Sequence, residues 1–234
     1  MFDLNELKNQ LYLLPALYRT VFAASCCERI IPAYKRFCLP SDANKHKVLQ
    51  QSLNAIWEFI FGAVLTEQHI LRIIEECKSQ NPDEDRHDSL FYCAAQNTVS
   101  ALVYALQSCA TGDVQLTAFT AQILIDALDN YLYRVNYPYI NSASQIDIIK
   151  EFSKQKCKNI NLIESQNNIV DELKTQQQAF DVWLQQSPLM TNELTKQHQD
   201  IMLLSGAKVT QETLKNIRSL SQTIGSQFAE RYFG

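Results

Sequence analysis

Glycine is scarce, with five in 234 residues, well below the average usage of about 7%. The scarcity withholds the residue on which tight hairpins, strand bulges and phosphate-cradling loops depend, and so favours helices. No GxxxxGK(S/T), GxGxxG or GxSxG pattern occurs, which closes the usual phosphate-loop, dinucleotide and nucleophile-elbow routes. A surplus of positive charge is lacking too. Lys and Arg number 21 against 25 Asp and Glu, a net charge of -4, so no global field concentrates a polyanion, and nucleic acid is disfavoured as a partner.

Long apolar runs are also absent. The stretch 56–65 is interrupted by Glu58 and falls short of the roughly 20 apolar residues a bilayer span requires, so no membrane segment is expected. The first ten residues carry Asp3 and Glu6 and lack the basic-then-apolar order of a secretory leader, which points to the cytoplasm. The seven cysteines form no CxxC pair. An odd count without metal or redox spacing suits a reducing compartment, where a buried thiol acts as a small hydrophobe. His46, His69, His87 and His198 are scattered, with no HExxH or HxH spacing. Neither a metal site nor any other cofactor is expected from them.

What is present is an ordinary globular mixture, 46% hydrophobic and 20% charged, enough to build a core without staples. Its apolar residues recur at helical steps. Leu4, Leu7, Leu11 and Leu14 mark a short helix ended by Pro15. Leu17, Val21, Ala24, Cys27 and Ile31 mark a second, which Pro32 should kink or break. Further helices are expected over 43–61, 67–77, 88–110, 114–136, 145–156 and 162–186. Asp42, Thr66, Asp113 and Thr210 stand at cap positions and Gly112 at a left-handed stop. The two long apolar helices either side of Gly112 are expected to form the heart of the core. After Pro188 come two more helices, the last with a narrow seam of Leu214, Ile217, Leu220, Ile224 and Phe228 suited to docking on another helix. The expected fold is all-α, a bundle of about eight to ten helices, with a core over 1–187 and a C-terminal two-helix extension over 188–234.

Three constellations could carry chemistry. In Cys27-Glu28-Arg29 a thiolate could be favoured by the neighbouring guanidinium; but adjacent helical residues point about 100° apart, so Glu28 and Arg29 are as well suited to tie neighbouring helices together. Glu58 sits between Trp57 and Phe59, where a carboxylate must be paired, protonated or turned outward. Pairing with Arg29 would make Glu28, Arg29 and Glu58 one polar site. An oxygen-rich metal site of Glu28, Glu58, Asp126 and Asp129 is the further variant, without the Glu-x-x-His pairs such bundles normally supply. Finally, Tyr131, Tyr133, Arg134, Tyr137 and Tyr139 cluster at a helix end. Tyr and Arg dominate binding hot spots, although the same side chains can simply plug the base of a bundle.

The residues Phe22, Ala24, Cys27, Glu28, Arg29, Pro32, Tyr34, Phe37 and Cys38, followed by Ile56-Trp57-Glu58, resemble the signature region of the bacterial YjaG-like family of unknown function, domain of unknown function 416. The resemblance is strongest over 18–58, continues to about Trp183 with a departure over 141–163, and fades beyond Pro188. It implies an all-helical cytoplasmic bacterial protein and brings no activity, cofactor or catalytic residue with it. The functional expectation is therefore a non-enzymatic helical interaction or regulatory protein, with a protein partner or a second copy of the chain as its ligand. The alternative is an enzyme or binder of a small ligand or metal, with its site around Glu28, Arg29 and Glu58.

Overall fold

The computed structural model describes residues 2–39, 42–83, 85, 89, 91–140, 182, 186–206 and 208–233, and of 43, 135–140 and 231–233 the backbone alone. It is all-α. Among the described residues there are eight helices: α1 Leu4–Tyr12, α2 Ala16–Phe37, α3 Ala43–Ile60, α4 Glu67–Lys78, α5 Tyr92–Thr111, α6 Val114–Ile140, α7 Pro188–Leu204 and α8 Gln211–Phe233. The helices expected over 145–156 and 162–186 lie outside the described residues, apart from positions 182 and 186.

The punctuation is local chemistry. Asp3 accepts from the amides of Asn5 and Glu6 to open α1, and Thr66 accepts from the amide of His69 to open α4. Asp113 accepts from the amide of Gln115 at the head of α6, and Thr210 from the amide of Thr213 at the head of α8. Each satisfies donors that a helix start otherwise leaves bare. Gly112 closes α5 in the left-handed conformation, φ 66°. A Cβ there would also stand 2.9 Å from the Ala16 Cβ, so the position demands glycine twice over. Pro188 is the first residue of α7 rather than a separator before it, with Ser187 accepting from the amide of Met190; a proline at that position forfeits no helical hydrogen bond.

Two expectations about the interior change. Pro32 does not end its helix, for α2 runs unbroken through it to Phe37. And the heart of the bundle is α2. Every residue from 20 to 31 is buried, because α3, α5, α6 and α8 pack around it; the long α5 and α6 pair packs against α2 and also against each other. Phe22, Tyr34, Leu53 and Trp57 are fully enclosed, each removal from water stabilising the fold by about 1.5–3 kcal/mol. On α4 the buried stripe is Ile70, Ile73, Ile74 and Cys77, whereas Leu71 faces outward. No helix among the described residues is long and apolar enough to cross a membrane.

Helix α8 is laid along α2, and two residues poorly suited to helices let it come close. Pro32 has no N–H, so the Glu28 carbonyl loses the donor it would meet four residues on. Over that carbonyl lies Gly225 of α8, whose missing Cβ would otherwise sit 2.7 Å from Glu28 O and 3.1 Å from Arg29 Cα.

Candidate functional site: two polar networks on the central helix

A guanidinium, an ammonium and two carboxylates meet in the interior where α2 and α7 cross. Arg29 projects from α2 and donates through Nε and Nη2 to the two oxygens of Glu193, both at 2.7 Å. Its Nη1 reaches Asp200 Oδ2 at 3.2 Å, Ser25 Oγ at 3.0 Å and Ser221 Oγ at 3.3 Å. Ser25 in turn donates to Asp200 at 2.7 Å. Lys196 donates to the other oxygen of Asp200, and Gln197 to Glu193 at 2.9 Å. Arg29, Glu193, Lys196, Gln197 and Asp200 are all buried.

The two positive and two negative groups balance, and the planar fork of Arg29 matches Glu193 bidentately, the strong geometry for a buried pair. Burial pulls the Arg29 guanidinium down, but Glu193 and Asp200 overcome that and raise it above its ordinary value. For Lys196, burial wins: its ammonium is lowered, with Asp200 restoring part of the loss and Arg29 adding to it.

One residue earlier, Glu28 points about a quarter-turn away and makes a second network. Its Oε1 accepts from Arg218 Nε at 3.0 Å and from Gln222 Nε2 at 3.2 Å, both on α8. Arg218 also donates to Asn54 Oδ1 at 2.6 Å and lies 5.3 Å over the Trp57 ring, a cation–π contact in a half-dry setting. Burial raises the Glu28 carboxyl above its ordinary value, and Arg218 offsets part of the rise. The Trp57 N–H stands close enough to favour the carboxylate slightly, yet outside hydrogen-bond geometry.

Glu28 and Arg29 thus each tie the central helix to a C-terminal one. Glu58 does not join them. It is exposed and lines a surface cleft of about 340 Å³ with His69 and Arg72, while Arg29 takes Glu193 and Asp200 instead. Helical geometry is the reason: Trp57 occupies the buried side and Glu58, about 100° further round, turns to water. Nor do Glu28, Glu58, Asp126 and Asp129 gather. Asp126 accepts from Gln122 at 2.6 Å on its own helix, and no three His, Cys, Asp or Glu side chains among the described residues stand together as metal ligands.

The thiolate reading of Cys27 is overturned by burial, which holds its thiol well above the ordinary range; burial likewise pushes Cys26 up to about 12. Labelling of the native protein with a thiol reagent at about pH 8 is expected to spare Cys26 and Cys27 and to reach the half-buried Cys38 and Cys93 before them, because only thiolates react. Modification of Cys27 as fast as in unfolded chain would contradict this.

In the tyrosine cluster, Tyr131 is buried and its ring stacks on Phe91, centroids 6.4 Å apart. Arg134 donates to the Ser89 carbonyl at 3.0 Å, and Tyr133 is partly exposed at 40%. The side chains of Tyr137 and Tyr139 lie outside the described residues. Of the C-terminal seam, Leu214, Ile217 and Phe228 are buried within the chain and Leu220 faces out.

A family model described as a protein of unknown function (DUF416) matches residues 6–227. The chain belongs to the DUF416 family. The match runs through α7 and most of α8, so the resemblance does not fade beyond Pro188: the helices that bring Glu193, Asp200 and Arg218 are part of the family's own unit. The chain is also similar to the crystal structure of a DUF416 family protein from Shewanella baltica OS155, with a TM-score of 0.63 over 92% of each chain at 15% identity, a likeness of fold. No curated protein matches the chain.

Proposed function

We propose that this DUF416 protein is a non-catalytic helical interaction protein that pairs with a second copy of itself through the elbow between α1 and α2. The observation that carries the reading is the elbow. Tyr12 is 75% exposed, Leu13 81% and Leu17 39%, three large apolar side chains within six positions on a turn whose neighbour Leu14 is buried. Single exposed leucines are ordinary, whereas contiguous apolar patches mark association surfaces. A two-fold dimer is the simplest occupant, since the same patch then serves both copies. The interior networks favour this reading over a polar active site, because Arg29, Lys196 and both carboxylates of α7 already satisfy one another, and Glu28 is satisfied by Arg218 and Gln222. Sedimentation of the full chain is expected to show a dimer that Tyr12→Ser with Leu13→Ser converts to monomer at unchanged helicity. A wild-type chain that stays monomeric at every accessible concentration would sink the proposal.

A further inference from the structure

At the end of the bundle away from the elbow, the last turn of α2, the first turns of α3 and the last turns of α8 enclose a cleft of about 570 Å³, within the size range of small-ligand sites. Its lining combines Lys35, Arg36 and His46 with the apolar Ile31, Pro32 and Ala229. No hydrogen bond or ion pair joins the Lys35, Arg36 or His46 side chains to any described residue. In a chain of net charge -4, where the buried cations described above are neutralised, these stand out.

Cations in the last turn of a helix are favoured by its dipole, which is reason enough for Lys35 and Arg36 to exist. It does not explain His46, which α3 turns toward them. The imidazole is partly desolvated and lies in the field of Lys35, and both influences lower its affinity for a proton. Among the described residues the cleft therefore presents two permanent cations and an N–H donor against one carboxylate, the exposed Glu230. Such a group is built for a compact, multiply charged anion, which would displace that mutual repulsion with charge-assisted hydrogen bonds. The apolar part of the lining has no use for an inorganic ion but can cover a carbon skeleton.

We infer that this cleft binds a small phosphorylated organic molecule, with its phosphate on Lys35, Arg36 and His46 and its apolar body against Ile31, Pro32 and Ala229. The inference is independent of the dimer proposal, since the cleft and the elbow lie at opposite ends of α2.

Isothermal titration of the full chain at fixed ionic strength, with phenyl phosphate, inorganic phosphate and pyrophosphate as probes, tests it. Phenyl phosphate is expected to bind one per chain and more tightly than inorganic phosphate. Lys35→Gln with Arg36→Gln should weaken it by about tenfold or more, the usual weight of charge-assisted bonds, and His46→Gln should weaken it less. Lys35 and Arg36 are exposed and His46 is half-buried, so helicity is expected to survive and serves as the folding control. No binding of any of the three probes, equal affinity in wild type and double variant, or response only to an oligonucleotide or heparin with phenyl phosphate inert would each overturn the assignment.

Discussion

Arg29→Met is expected to destabilise the protein by about 3–5 kcal/mol, read as a lower midpoint in urea at unchanged slope. Methionine preserves most of the volume and leaves the apolar stem of the side chain in place, so little of the loss comes from packing. What remains is the penalty of two carboxylates without their main counter-ion. Glu193 would keep only its bond from Gln197, and Asp200 only those from Lys196 and Ser25, at side chains closed off from bulk solvent, where the five donors of the guanidinium are not readily replaced. Removing one member of a buried ion pair characteristically costs this much, because a desolvated charge is stranded. Against a typical total stability of about 5–15 kcal/mol the effect is large. A cycle with Glu193→Gln separates the two contributions: in the double variant no carboxylate is stranded at that position, so part of the loss should return. A single Arg29→Met variant within about 1 kcal/mol of wild type would show that the network is open to water.

The alternative site hypothesis and the fold both turn on which polar residues face inward, and here the sequence was only partly legible. Most helix starts and stops followed from single residues, since Thr66, Asp113, Thr210 and Gly112 act through bonds and torsions confined to a few neighbours; Asp42 stands at the head of α3 as expected but makes no side-chain cap bond there. Burial of polar faces did not. On α7 the residues Glu193, Lys196, Gln197 and Asp200 recur at three- and four-residue steps, which reads as the solvated side of an amphipathic helix. It is the buried side, while Met202 and Leu203 lie outside at 61% and 49% exposed. Periodicity locates a face; it does not say whether that face meets water or an opposite charge.

The same ambiguity hid the central position of α2. Its stripe of Val21, Ala24, Cys27 and Ile31 looked like one apolar face of an ordinary helix, because Ser25, Glu28 and Arg29 broke the pattern on the other sides. Those three are buried as well, each satisfied by a partner on α7 or α8 some 160 to 200 residues away in sequence. An arginine and a glutamate adjacent in one helix signal that two different neighbours must supply their complements. The sequence announces that need without saying where the complements lie, and Glu58, flanked by Trp57 and Phe59, meets its own need by turning to water rather than by pairing with Arg29.

The close contact of α8 with α2 leads to the second large effect. Gly225→Leu is expected to cost about 3 kcal/mol, at the upper end for overpacking, and Gly225→Ala about 2 kcal/mol. In an isolated helix the alanine change would be favourable by about 1 kcal/mol, because glycine loses more freedom on ordering. Here the new Cβ would meet Glu28 O at 2.7 Å, Arg29 Cα at 3.1 Å and Arg29 O at 3.3 Å. All three are backbone atoms of the central helix, so no rotamer change relieves the clash and α8 itself must move outward. Moving it also lengthens the bonds from Arg218 and Gln222 to Glu28 and from Arg29 to Ser221, so the packing fault spreads into both polar networks. Thermal melts of the two variants decide the matter. A Gly225→Ala protein that melts higher than wild type would mean that helix propensity outweighs contact and that α8 stands further from α2 than these distances require. A lower melting temperature for alanine and a lower one still for leucine would identify Pro32 and Gly225, two residues that each weaken a helix alone, as the pair that lets these helices meet.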